Sequence, residues 1–381
     1  MLIDKSNIRV LLVCVNFNRD PDFDDLVAEG EELVHSAEYK LVHTLTTNRT
    51  VVDRKSFIGS GKVEEIKALC AQLEIDMLVV NHNLTPLQER NLSESLDIDI
   101  RDRTCLILDI FSLRTKSNEG VLQVELAQQT YMMSRLIGRW THLERQRGGT
   151  GTIGGAGEKQ LELDKRFIRD KIHTLKTRLT AVVKQRETQR KSRNKNGVFS
   201  VSVVGYTNAG KSTMFNALTN AGAYAENRLF ATLQTTSRKL YLAREHEVII
   251  SDTVGFIRNL SHNLVAAFRA TLEETVHANL LLNVVDVSQR LKERQIEDVK
   301  KVLSEIDADT IPSLIVYNKI DLIGDCLPKI EYNNSGEPIA VYLSAVSNLG
   351  LDLLKQAILE KMAYSKLNLK KQELVYEPWK N

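Results

Sequence analysis

Only four cysteines occur in 381 residues, at Cys14, Cys70, Cys105 and Cys326, and no two have C-x-x-C spacing. That scatter excludes a cysteine-built metal site and a disulfide framework, and it suits a reducing, cytoplasmic setting. Excess charge is also nearly absent. The formal net charge is +2, so attraction to nucleic acid has to come from local basic patches. No apolar run approaches the ~18 residues that a membrane span requires. The opening MLIDKSNIRVLLVCVNF places its apolar stretch behind Asp4 and Lys5 without a small-residue cleavage site, and it reads as a first strand rather than a signal peptide. Internal repeats and long low-complexity tracts are lacking. The 43% apolar and 26% charged content is that of an ordinary globular chain. Its length predicts two or three domains.

The densest chemical signal lies at residues 199–213. A Val-rich run, Phe199 to Val204, predicts a buried strand, and Met214, Phe215 and Leu218 then recur at helical spacing. Between them stand Gly205, Tyr206, Thr207, Asn208, Ala209, Gly210, Lys211 and Ser212. This is a full G-x-x-x-x-G-K-[ST] phosphate loop in strand–loop–helix context. Its glycines let backbone N–H groups converge on phosphate oxygens, and the helix adds its N-terminal partial charge. Lys211 is placed to reach the β- and γ-phosphates as a catalytic group, and the Ser212 hydroxyl to ligate Mg²⁺.

Three downstream segments choose the nucleotide. Asn318-Lys319-Ile320-Asp321 follows the apolar run Ser313–Tyr317. A carboxylate at Asp321 accepts from the N1–H and exocyclic amine of guanine, donors that adenine does not present there. Ser344, Ala345 and Val346 follow the strand candidate Ile339–Leu343 and suit a backbone contact to the guanine carbonyl. Asp252, Thr253, Val254 and Gly255 end the strand candidate Glu247–Ser251. Asp252 is expected on Mg²⁺ through water, and the Gly255 N–H on the γ-phosphate. Phe230, Ala231, Thr232, Leu233 and Gln234 lie where a Thr must close over Mg²⁺. Thr232 is the choice, with Thr235 and Thr236 as competitors. Phe256 follows Gly255, where many GTPases carry a water-orienting Gln. A phenyl ring cannot do that work, so catalysis needs another group. Asn208, inside the phosphate loop, is a candidate to help hold K⁺, which would neutralise developing charge.

Residues 1–118 form one predicted segment, an N-terminal α/β domain. It has strand candidates at 8–15, 39–46 and 76–81 and helical patterns at 22–36, 62–73 and 85–95. Gly59-Ser-Gly-Lys62 lacks phosphate-loop spacing and reads as a helix start. Residues 119–196 form a second segment, a long helical hairpin. Leu122, Leu126, Met133, Leu136 and Ile137 make one stripe over 119–146, and Phe167, Ile168, Ile172, Leu175, Leu179 and Val182 another over 158–195. Gly148, Gly149, Gly151, Gly154, Gly155 and Gly157 crowd the tip. Lys184, Arg186, Arg190, Lys191, Arg193 and Lys195 make the second helix basic. Positive charge on an exposed arm suits a phosphate backbone, although a solvated coiled-coil face has the same composition. A nucleotide-binding domain at 197–364, its last helix at 351–362, and a short tail at 365–381 complete the division.

The chain resembles HflX, a family of ribosome-associated GTPases in the Obg–HflX superfamily. The likeness rests on Phe57-Ile-Gly-Ser-Gly-Lys62-Val, Arg101-Asp-Arg-Thr104, Leu106-Ile-Leu-Asp-Ile-Phe111 and Glu119-Gly-Val-Leu-Gln-Val-Glu-Leu-Ala-Gln128. It continues through Trp140-Thr-His-Leu-Glu-Arg-Gln146, the glycine loop, Gly157-Glu-Lys-Gln-Leu-Glu162 and Asp252-Thr-Val-Gly-Phe-Ile-Arg258. The resemblance implies an α/β fold in which the N-terminal domain and hairpin precede a P-loop, Ras-like GTPase domain. It implies GTP and GDP as ligands and the large (50S) ribosomal subunit with its rRNA as partner. The glycine tip and Arg186, Arg190 and Lys191 are then ribosome contacts, and the activity is splitting or rescue of stalled ribosomes; a monomer is expected. Three departures from the family pattern stand out. Ala231-Thr-Leu-Gln234-Thr235 replaces an Asp-Pro switch, Thr152-Ile-Gly-Gly-Ala-Gly157 lacks the tip Arg, and a further C-terminal domain has no room here. The competing readings are a GTP-dependent regulatory switch on a protein partner, with the hairpin as its recognition arm, and an enzyme using ATP through the N-terminal domain.

Overall fold

Nine residues with a nearly unbroken apolar run, Arg9–Phe17, make strand β1. A strand buried on both faces needs cover on both sides, and alternating helices supply it. In the computed structural model β1 pairs in parallel with β2 (Lys40–Arg49) and β3 (Met77–Val80), and β3 pairs with β4 (Asp99–Asp102). The sheet order is β2-β1-β3-β4. Helices α1 (Phe23–Ser36), α2 (Ser60–Gln72) and α3 (Pro86–Leu96) connect the strands, and α4 (Arg103–Arg114) follows β4. Gly59-Ser-Gly-Lys62 is thus a helix start, as its sequence predicts.

Residues 5–115, 117–139, 156–195, 198–219, 229–230, 235–243, 246–258, 272–324 and 326–375 are described by the structure. The chain forms two compact units that divide between Val183 and Lys184. Helices α5 (Asn118–Arg139) and α6 (Ala156–Lys195) realise the hairpin pattern. Between them Glu125 meets Lys171 at 2.8 Å, and Leu136 and Ile168 line one cleft. Of the tip glycines only Gly157, in the first turn of α6, falls among the described residues. One expectation fails on α6. Phe167 is 70% exposed, because the shielded line runs through the half-buried Ile168 and Ile172 and the buried Leu175, and a neighbouring residue sits about 100° around the helix.

Asp102 organises the junction between this sheet and α5. It caps α4 by accepting from the Cys105 N–H at 2.8 Å, and also accepts from the Leu84 N–H, the Tyr131 hydroxyl and the Arg135 guanidinium. Arg135 also donates to the Leu84 carbonyl and lies 4.6 Å over the Tyr131 ring. Deeper in the sheet, Arg103 is among the largest fully buried side chains and donates to Asn81 and Glu29.

Among its described residues the second unit holds seven strands: β5 (Phe199–Gly205), β6 (Thr236–Ala243), β7 (His246–Asp252), β8 (Leu280–Asp286), β9 (Ser313–Asn318), β10 (Lys329–Tyr332) and β11 (Pro338–Tyr342). Their order is β10-β11-β9-β8-β5-β7-β6, with β6 and β10 antiparallel at the two edges. α7 (Lys211–Thr219) and the helix Leu351–Val375 cover a face whose core includes Val201, Val203, Met214, Phe215, Leu282, Val316 and Ile358. This last helix passes the expected end at 362 and continues to Val375, so the start of the tail is helical.

Glu29 gives the buried Arg103 its carboxylate partner, the two side chains being 10% and 2% exposed. Removing one member of such a buried pair is costly, so Glu29→Ala should cost about 3 kcal/mol in the first unit. Urea unfolding followed by a probe in that unit measures the loss.

Candidate nucleotide site

β5 is the strand at which the connections reverse direction. From β5 the chain passes through α7 to β6 and β7 on one side, and then crosses to β8 and β9 on the other. Open α/β sheets bind ligands at the carboxyl ends of strands at such a point. The loop Gly205–Gly210 emerges there, and α7 starts at Lys211. Asn208 sits at φ 61° and is exposed. Gly210 sits at φ 89°, and a Cβ there would collide with the amide nitrogen of Asn318.

The loop is wired to the neighbouring strand ends. Lys211 Nζ donates to the Tyr206 carbonyl at 2.7 Å, and Ser212 Oγ donates to Asp252 Oδ2 at 2.7 Å. Asn318 is 2% exposed. Its Nδ2 donates to the Ala209 carbonyl at 2.9 Å, and its Oδ1 accepts from the Ala345 N–H at 3.0 Å. One side chain therefore ties the phosphate loop to the Ser344–Val346 loop. Ser344 and Ala345 are buried and Val346 is 73% exposed. Lys319 and Ile320 follow the end of β9, with Ile320 buried, and Asp321 is exposed in a short 3₁₀ turn.

Thr253 and Val254 are buried, and the Thr253 hydroxyl donates back to the Val203 carbonyl at 2.6 Å, which makes it part of the sheet. Phe230 is buried at φ 57°. Ala231, Thr232, Leu233 and Gln234 lie outside the described residues. Asp286 was not foreseen from sequence. It ends β8, is 4% exposed, pairs with Lys319 Nζ at 2.8 Å and accepts from the Ser288 hydroxyl at 2.6 Å. The only available signal was its place at the end of the apolar run Leu280–Val285.

The Ser212 hydroxyl and the Asp252 carboxylate, brought together at 2.7 Å, are hard oxygen donors of the kind Mg²⁺ takes. That ion, when bound, neutralises charge on the phosphates. Burial pushes the Lys211 ammonium down to about 8, against the pull of Asp252.

Three family descriptions match successive parts of the chain: "GTP-binding GTPase N-terminal" at residues 24–112, "GTP-binding GTPase Middle Region" at 114–193, and "50S ribosome-binding GTPase" at 200–319. GTPase HflX of Escherichia coli is 46% identical over 93% of this chain and 83% of its own length. The chain belongs to the HflX family. HflX of Caldanaerobacter subterraneus is 45% identical over 92% of this chain and 79% of its own length. A crystal structure of SsGBP with GDP aligns with 93% of this chain and 99% of its own at TM-score 0.52 and 24% identity, a likeness of fold. This member of the HflX family is accordingly a GTP-hydrolysing enzyme.

Phosphates next to Lys211 favour its charged form, so nucleotide binds the protonated site better. Because the free ammonium titrates near 8, GDP affinity should be level below that pH. Above it, affinity should fall with rising pH, by up to about tenfold per unit. Calorimetry at pH 7, 8 and 9 in buffers of different ionisation enthalpy measures both the affinity and the proton taken up.

Proposed function

We propose that this GTPase acts on the large ribosomal subunit, in the cytoplasm, and splits or rescues stalled ribosomes. The observation that carries the reading is a hairpin of two long helices in the same chain as the nucleotide site. Arg166, Arg169, Lys176, Arg178 and Lys184 are exposed along α6, and cations spaced along a helix suit a phosphate backbone. The match of residues 200–319 to the description "50S ribosome-binding GTPase" supports the same partner.

In this reading the chain works as an N-terminal domain (1–118), a hairpin (119–196), a GTPase domain (197–364) and a tail (365–381). The loop Gly205–Ser212 cradles the phosphates, Lys211 neutralises them, and Ser212 and Thr232 hold Mg²⁺. Asp321 reads the guanine edge. Ser344–Val346 flank the base, with Asn318 fixing their distance from the phosphate loop. The tip glycines allow close approach to crowded RNA, and Arg186, Arg190 and Lys191, which lie on α6, add salt-sensitive attraction.

Sedimentation with purified large subunits tests this. Binding should be strong with a non-hydrolysable GTP analogue and weak with GDP, and subunits should stimulate hydrolysis. Replacing residues 148–157 by a short linker should leave GTP binding intact and abolish splitting. Splitting at the normal rate after that replacement would reduce the hairpin to scaffold. Hydrolysis indifferent to subunits would favour a switch acting on a protein partner.

The exposed Asn208 and the Phe256 that replaces a water-orienting side chain motivate a second test. Hydrolysis should run faster in K⁺ than in Na⁺ at matched ionic strength, and Asn208→Ala should remove the difference. Equal rates in the two salts count against a bound monovalent cation.

A further inference from the structure

The backbone beyond Asp252 continues to pair with the phosphate loop. Val203 lies opposite Asp252 at the end of the β5–β7 ladder, and Tyr206 and Phe256 form a further parallel bridge. The Phe256 N–H donates to the Gly205 carbonyl at 3.1 Å, and the Thr207 N–H donates to the Phe256 carbonyl at 2.7 Å. The side chains at the bridge are buried, Tyr206 at 7% and Phe256 at 3% exposure. Gly255, one residue earlier, is pressed against the loop. A Cβ added to it would fall 2.7 Å from Lys211 Nζ, 2.8 Å from Thr207 Cγ2 and 3.0 Å from Thr207 Cα.

A Cβ on Gly255 would press on the Thr207 backbone as well as on the end of Lys211, so a phosphoryl group entering between Gly255 and the loop has to push the Gly255 segment away. The bridge engages backbone groups of Gly205 and Thr207 and leaves the amides of residues 208–212 outside it. Those amides are the ones that a loop of this type directs at the two phosphates of GDP. The third phosphate of GTP needs both Lys211 and an N–H from the Gly255 segment. Diphosphate binding is therefore compatible with the bridge, and triphosphate binding is not.

We propose that the Tyr206–Phe256 bridge is a latch across the γ-phosphate position, and that Phe256 sets the preference between GDP and GTP. GTP has to break both backbone bonds and lift the buried ring, whereas GDP leaves them in place. An aromatic residue after Gly255 then has a definite role. It is a specificity-determining group that holds the site in its diphosphate form, and it acts whether or not the ribosome is the partner. The differential affinity of the two nucleotides for the open state drives the change, as any ligand-linked equilibrium requires.

Binding of GDP and of a non-hydrolysable GTP analogue to the parent protein, Phe256→Leu and Phe256→Ala tests this. Weakening the latch should improve analogue affinity relative to GDP, by about tenfold for Phe256→Ala and less for Phe256→Leu, with GDP affinity nearly unchanged. An unchanged ratio in both variants overturns the proposal, as does an equal loss for both nucleotides in a folded protein. Amide hydrogen exchange on the parent protein gives an independent reading should Phe256→Ala fail to fold. The Phe256 amide should be protected without nucleotide and with GDP, and should lose protection with the analogue. Equal protection in all three states also overturns the latch.

Discussion

The nucleotide site depends on a single buried amide. Asn318 both donates and accepts at a fixed separation, and it applies that geometry to two loops at once, the Ala209 carbonyl and the Ala345 N–H. An aspartate could only accept and an alanine could do neither, and each would leave a buried backbone group without its partner. Such a group costs about 1–3 kcal/mol. The main chain of the same residue accepts from the Val287 N–H at 3.0 Å, which brings in the end of β8 and its Asp286. Gly210 is the counterpart of this arrangement, because any side chain there would occupy the position of the amide. The spacing between the phosphate loop and the Ser344–Val346 loop is therefore built into the protein.

Charge at the phosphate loop sits in a different balance. Lys211 is held by the Tyr206 carbonyl in a place where water cannot solvate it, and Asp252 supplies only part of the compensation. An ammonium in that condition favours an anion strongly, since desolvation has already occurred before the phosphate enters. Ser212 and Asp252 meanwhile satisfy each other across 2.7 Å. Their hydrogen bond keeps two oxygen donors together.

The phosphate loop was legible from sequence because its chemistry requires fixed residue types at fixed spacing, and Gly205–Ser212 and Asn318–Asp321 fall where that spacing put them. β1 and most helices were legible through long apolar periodicity. β4 and α4 were not. Asp99–Asp102 is four residues with no apolar alternation, and α4 is so widely buried that it presents no polar face to mark its period. Phe167 was misread because an apolar residue beside a stripe cannot be told from one within it until the helix is oriented. Asp286 and the sheet-bound role of Thr253 follow from contacts between strands far apart in sequence, which residue spacing does not encode.

The heavy bonding at Asp102 has a mechanical consequence. Four donors from β3–α3, α4 and α5 converge on one carboxylate, two of them, Tyr131 and Arg135, carried by the helix itself. At 1.5 Å per residue, the 22 residues of α5 span about 33 Å. From the clamped Arg135 back to Asn118 is about 26 Å of that length, so a tilt of only 5° at the clamp displaces the start of α5 by roughly 2 Å. A lever is only as accurate as its fulcrum, and here the fulcrum is a clamped carboxylate on the sheet.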